Sequence, residues 1–125
     1  MSEFGAVTIG PYRAGEIPPP LVVTFKDSSG AAIDLSGYVA RWIVQRHAVS
    51  GWPDFNSADP AQLTNTANVL TQSTNKGQVQ YTWVVADFTT AGFYEGEMWV
   101  GNGGNRFASI RYMWQTVTAI AIPAI

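Results

Sequence analysis

His47 is the only imidazole in this 125-residue chain, and no cysteine accompanies it. General-base chemistry on His47 needs an acid to orient the ring and a nucleophile for it to activate. No such partners stand at a useful spacing, and the serines fall mostly in turn-forming stretches without a Gly-x-Ser-x-Gly elbow. His47 therefore reads as structural or solvent-facing. For a metal ion, His47 with Asp54 and Asp59 is the best available set. The calcium-loop pattern fails there, because Ala58 follows Asp54 and Asn56 at the next alternate position and no glutamate closes the loop. Glu95 and Glu97 stand two apart and so share one strand face, the spacing of paired carboxylates. A glycosidase pair needs opposed walls that one strand cannot supply, so a solvated outer face is the expectation. The run Gly101, Asn102, Gly103, Gly104, Asn105, Arg106 lacks the spacing of a phosphate loop and any following helix, and reads as a hairpin turn. No catalytic residue, metal or cofactor is expected, and the chain reads as non-enzymatic.

Aromatic residues are the informative excess, at 13% with five tryptophans. Trp42 and Trp83 fall on apolar strand faces and belong to the core. Trp52 with Phe55 in a long loop, and Trp99 with Phe93 on an outward strand face, have no evident core role. These four are the interface candidates, since large aromatics anchor protein contacts. The same rings could stack on sugars; with so few charges around them, a protein interface is preferred.

The elements that position these residues are short strands. Leucine occurs only four times, while valine, threonine, isoleucine and aromatics dominate, a bias toward the pleated half-buried surface of a sheet. An apolar piece at 6–9 is closed by Gly10 and Pro11, and the segment 1–20 reads as extended, ending in Pro18, Pro19 and Pro20. Alternation predicts strands over 21–26 and 38–47, with Tyr38, Ala40, Trp42 and Val44 on one face. A long irregular loop follows at 48–62, of a length that is usually functional or disordered. Beyond it come a weaker strand at 67–71 and the clearest one at 78–85, with Val79, Tyr81, Trp83 and Val85 on one face. The last strands are predicted at 93–100, 107–114 and 116–122, with Tyr94, Gly96, Met98 and Val100 inward and Phe93, Glu95, Glu97 and Trp99 outward. Seven to eight short strands with turn signals between them predict a single all-β domain over 1–125, an antiparallel β-sandwich.

Charge narrows the classes of partner. The net charge is −2 and no two of the seven basic residues are adjacent, which argues against nucleic-acid binding by counterion release. Charged residues make up 13% of the chain, about half the usual share. Such a surface is sticky and suits burial against neighbours. No segment reads as a leader or as a membrane span, so no membrane partner is expected.

The order of these motifs resembles a known family. Gly15 and Glu16 precede the prolines, and Leu21 to Asp27 form a strand and turn. Gly30 and the turn Ile33-Asp34-Leu35-Ser36-Gly37 lead to the strand bearing Trp42. Gly77-Gln78-Val79-Gln80-Tyr81, then Asp87, then Gly92-Phe93-Tyr94-Glu95-Gly96-Glu97 complete the series. Together they look like the small immunoglobulin-like module at the N-terminus of tailed-phage baseplate upper proteins and related virion proteins, over roughly residues 14–122. The resemblance implies an immunoglobulin-like sandwich in a virion, assembled in the host cytoplasm. Its partners would be other virion proteins of the capsid, neck, tail or baseplate, with the chain oligomeric in the assembly. The alternative is a carbohydrate-binding module that uses exposed tryptophans on host glycans.

Overall fold

The computed structural model describes residues 6–47 and 62–117. Nine strands form within them: β1 (Ala6–Thr8), β2 (Tyr12–Arg13), β3 (Leu21–Thr24), β4 (Val39–His47), β5 (Gln62–Val69), β6 (Gln78–Tyr81), β7 (Gly92–Gly101), β8 (Arg106–Ala108) and β9 (Arg111–Val117). A single 3₁₀ turn, Val85–Phe88, is the one helical piece among the described residues. The protein is all-β, as its composition dictates.

The strands run along one path, β1-β9-β7-β4-β5-β6-β3, with β2 also on β9 and β8 also on β7. This mixed sheet curls into a half-barrel. The curl passes through β5, which pairs with β4 from Gln62 to Ala67 and then with β6 at Asn68 and Val69. The long-loop reading of 48–62 otherwise lies outside the described residues, with Gln62 already in β5. That strand starts five residues before the weak piece read at 67–71.

Two expectations are corrected. The described residues carry nine strands rather than seven to eight, and the sheet is not wholly antiparallel. The segment 1–20, read as extended with an apolar piece at 6–9, supplies β1 and β2, which run parallel to β9 with Ala6 beside Arg111 and Tyr12 beside Thr116. Ile9 and Tyr12 supply the reason: both pack against the core, which draws this segment onto the open edge of β9. There Ile9 N–H donates to the Met113 carbonyl at 2.8 Å. The proline run then carries the chain to β3 at the far edge of the sheet.

The core is aromatic. Trp42, Tyr81, Trp83, Phe88, Tyr94 and Trp114 are all buried. Trp42 stacks near-parallel on Trp114 at 6.1 Å and on Tyr81 at 5.8 Å, while Trp83 meets Trp42 edge-on at 5.7 Å. Offset and edge-to-face pairs of this kind add roughly 0.5–1.5 kcal/mol each beyond the area they bury. Gly96 makes the arrangement possible, because a β-carbon there would stand 2.6 Å from the Trp42 ring and 3.2 Å from that of Trp114. The inward faces read from alternation hold for Ala40, Trp42, Val44, Val79, Tyr81, Trp83, Tyr94, Met98 and Val100. Val85 departs, since pairing of β6 ends at Tyr81 and Val85 lies exposed on the 3₁₀ turn.

A bulge separates β8 from β9. Trp99 faces Ala108, yet Gly96 faces Tyr112, so the returning chain carries one residue more than β7 at Ser109 and Ile110. Ser109 seals the irregularity: its N–H donates to the Met98 carbonyl at 2.8 Å, and its hydroxyl accepts the Met98 N–H at 2.9 Å. One extra residue exchanges the two faces of everything beyond it. Without it Arg111 would point inward and Trp114 outward.

Turns are held by side chains. Asp27 Oδ1 accepts from Ser29 N–H, Ser29 Oγ and Ala31 N–H at 2.9, 2.6 and 3.1 Å. Gln72 braces two distant turns, its Oε1 accepting the N–H groups of Leu35 and Gly77 at 2.9 and 2.8 Å.

Candidate functional site

The outward face of β7 is where the structure gathers polar side chains. Strand alternation puts Glu95, Glu97 and Trp99 on it, and the pairing of β7 with β4 sets Gln45 opposite Glu95, Ile43 opposite Glu97 and Arg41 opposite Trp99. The bulge brings Arg111 to the same face on the other side. Arg106, at the foot of the hairpin, is two residues from Ala108, which stands opposite Trp99. These residues line a cleft of about 450 Å³, within the range of roughly 300–1,000 Å³ that holds small ligands. A second cavity of about 270 Å³ adjoins it and shares Arg41, Trp99 and Arg106.

Arg111 organises the floor. Its Nε and Nη2 both donate to Glu97 Oε2, at 3.0 and 2.9 Å, and its Nη1 lies 3.7 Å from Glu95 Oε2. Glu97 Oε1 accepts the indole N–H of Trp99 at 3.2 Å, which fixes the ring edge and leaves Trp99 half-buried in the cleft wall. Glu95 is buried, its side chain only 11% exposed. The solvated outer face expected for Glu95 and Glu97 is thus corrected: the guanidinium between them offsets the repulsion of two like charges and holds a partly dry cluster together. Both carboxylates sit on one strand and share one cation, rather than flanking a substrate from opposite sides.

The other predicted sites fall elsewhere. Phe93 is half-buried near the start of β7, opposite His47 and Gln115 and apart from the cleft. Trp52, Phe55, Asp54 and Asp59 lie outside the described residues. Among the described residues no group of three metal-ligating side chains comes together. The run at 101–106 is the hairpin turn expected: Asn102 Oδ1 accepts the N–H groups of Gly104 and Asn105 at 2.9 and 2.7 Å.

Arg41, Arg106 and Arg111 were not singled out from the sequence. Arg41 lies far along the chain from Arg106 and Arg111, and only strand pairing and the bulge collect three of the seven basic residues on one face. The signal that could have found them is the parity of Arg41 with Gln45 on β4, opposite the Glu95–Glu97–Trp99 series.

A second constellation fastens the corner between β6 and β7. Tyr81 Oη donates to the carboxylate of Asp87 at 2.9 Å, and Asp87 Oδ2 also accepts Val84 N–H at 2.9 Å. Burial, then the bond to Asp87, raises the Tyr81 hydroxyl well above its ordinary pKa. Seven residues beyond Asp87, the Tyr94 hydroxyl donates back to the Thr90 carbonyl. No protein-family model matches this chain, and no curated protein matches it in sequence. No helix among the described residues is long and apolar enough to cross a membrane.

Proposed function

We propose that this chain is a non-enzymatic structural protein of a tailed-phage virion. In this reading it is an immunoglobulin-like adaptor or accessory subunit that works by burying surface against other virion proteins. The observation that supports it is the corner between β6 and β7. The residues that carry the family resemblance, Tyr81, Asp87 and Tyr94, are bonded into one corner, with Tyr94 tying back to Thr90 as the corner tyrosine of immunoglobulin-like sandwiches does. A second supporting feature is the charge-poor surface, which suits permanent packing. Quantitative mass spectrometry of purified particles from cultures producing the chain tests the proposal. The expected result is a fixed number of copies per major capsid subunit: hundreds for a capsid-surface role, a small symmetric number for neck, tail or baseplate. Absence from the particle overturns it.

A second reading, a carbohydrate-binding module, is favoured by one observation. Trp99 lines a cavity among groups able to bond hydroxyls.

A further inference from the structure

The cleft on β7 carries more positive charge than the protein around it. Three guanidinium groups meet two carboxylates there, in a chain whose net charge is −2. Arg111 is engaged by both carboxylates. Arg41 and Arg106 are exposed and form no ion pair among the described residues; the one side-chain hydrogen bond of Arg41 there runs to its neighbour, the Ala40 carbonyl, at 2.9 Å. Both line the two adjoining cavities, and Trp99 is the third residue common to them.

We infer that this cleft binds a carboxylated sugar. The acid group pairs with Arg41 and Arg106, the ring lies against Trp99, and hydroxyl groups donate to Glu97 and bond Gln45. Each part answers a feature of the site. Guanidinium groups bind carboxylates through short, charge-assisted bonds. An indole offers a flat apolar face to the C–H face of a pyranose, and Glu97 holds this one in place by its N–H. Glu97 Oε1 accepts only the indole N–H, so a further lone pair remains for a hydroxyl. An acidic peptide offers neither a pyranose C–H face to Trp99 nor a ring of hydroxyls to Glu97 and Gln45. This inference rests on the carbohydrate reading and is independent of whether the chain sits in a virion.

The test is titration of the full chain with glucuronate, galacturonate and N-acetylneuraminate, each against its uncharged methyl ester. Binding is followed at the Trp99 indole N–H by NMR, the signal being assigned by its loss in Trp99→Phe. Saturable shifts are expected with at least one acid, at least about tenfold weaker with its ester. Arg41→Gln and Arg106→Gln, both at exposed positions, should each weaken the acid by about tenfold and leave the ester unchanged. Equal affinity for acid and ester overturns the charged-sugar inference while upholding the carbohydrate reading. No saturable shift with any of the six compounds overturns both.

Discussion

Arg111 on β9 closes on Glu97 of β7, across fourteen residues of chain, with two N–H donors on a single carboxylate oxygen at 2.9 and 3.0 Å. The pair sets the floor of the cleft and, through the other Glu97 oxygen, the position of Trp99. Removing the cation leaves Glu95 buried beside a second carboxylate. Arg111→Met should therefore cost about 1–3 kcal/mol in urea unfolding, toward the lower end because the arginine side chain is 40% exposed. Glu97→Gln, which keeps an acceptor, should cost less.

Gly96 lies under two tryptophans with no room for a methyl group. Gly96→Ala forces Trp42 to move or β7 to shift, and overpacking of this kind costs roughly 1–3 kcal/mol. Thermal unfolding should show a lower Tm. Gly104→Ala, where the nearest atom to an added β-carbon is the Asn102 side chain at 3.7 Å, serves as the control and should change far less.

Thr116 on β9 is 1% exposed, and its hydroxyl finds no hydrogen-bond partner among the described residues. A buried hydroxyl without a partner costs about 1–3 kcal/mol. Thr116→Val keeps the shape and removes that cost. The variant should unfold at higher urea concentration with an unchanged m-value.

How much of this was legible in the sequence depends on whether neighbours along the chain or across the sheet decide the matter. The inward series of β4 and β7 could be read directly, because a period of two survives wherever one face is buried and the strand is uninterrupted. The turns at Asp27 and Asn102 were legible too, being local hydrogen-bond chemistry. The bulge was not. Uninterrupted alternation through 107–114 sets Phe107 and Arg111 on one face, and only the pairing with β7 shows where the extra residue sits. The cleft was hidden for the same reason, since its three arginines come from β4, β8 and β9. Gln72, which braces two turns, looks like any surface glutamine in one dimension.

Acid should loosen the turns at Asp27 and Asp34 first. Bonds from Ser29 and Ala31 hold the Asp27 carboxyl below its ordinary value of 3.8, and bonds from Ser36 do the same for Asp34. The unfolded chain takes up these protons before the folded one. Their contribution is present above the ordinary value and is lost as pH falls through the lower folded values. Tm should fall as pH drops below about 4, and Asp27→Asn should make that fall shallower. At the alkaline end the raised Tyr81 and Tyr112 hydroxyls act in the opposite direction. Their contribution is complete below the ordinary tyrosine value of 10.0 and is lost as pH climbs from there toward the folded values.

The parallel pairing of β1 and β2 with β9 bears on how the molecule carries load. Tension that drags the start of β1 and the end of β9 apart acts along the strands in opposite senses. The rungs from Ala6–Arg111 to Thr8–Met113, and those at Tyr12–Thr116 and Arg13–Val117, are then strained together in shear. In an antiparallel closure with the same two anchor points, the rungs would peel one after another from a single end. A few short rungs placed this way make a clamp that gives way all at once, and they let a small domain hold its shape under a pull along that axis.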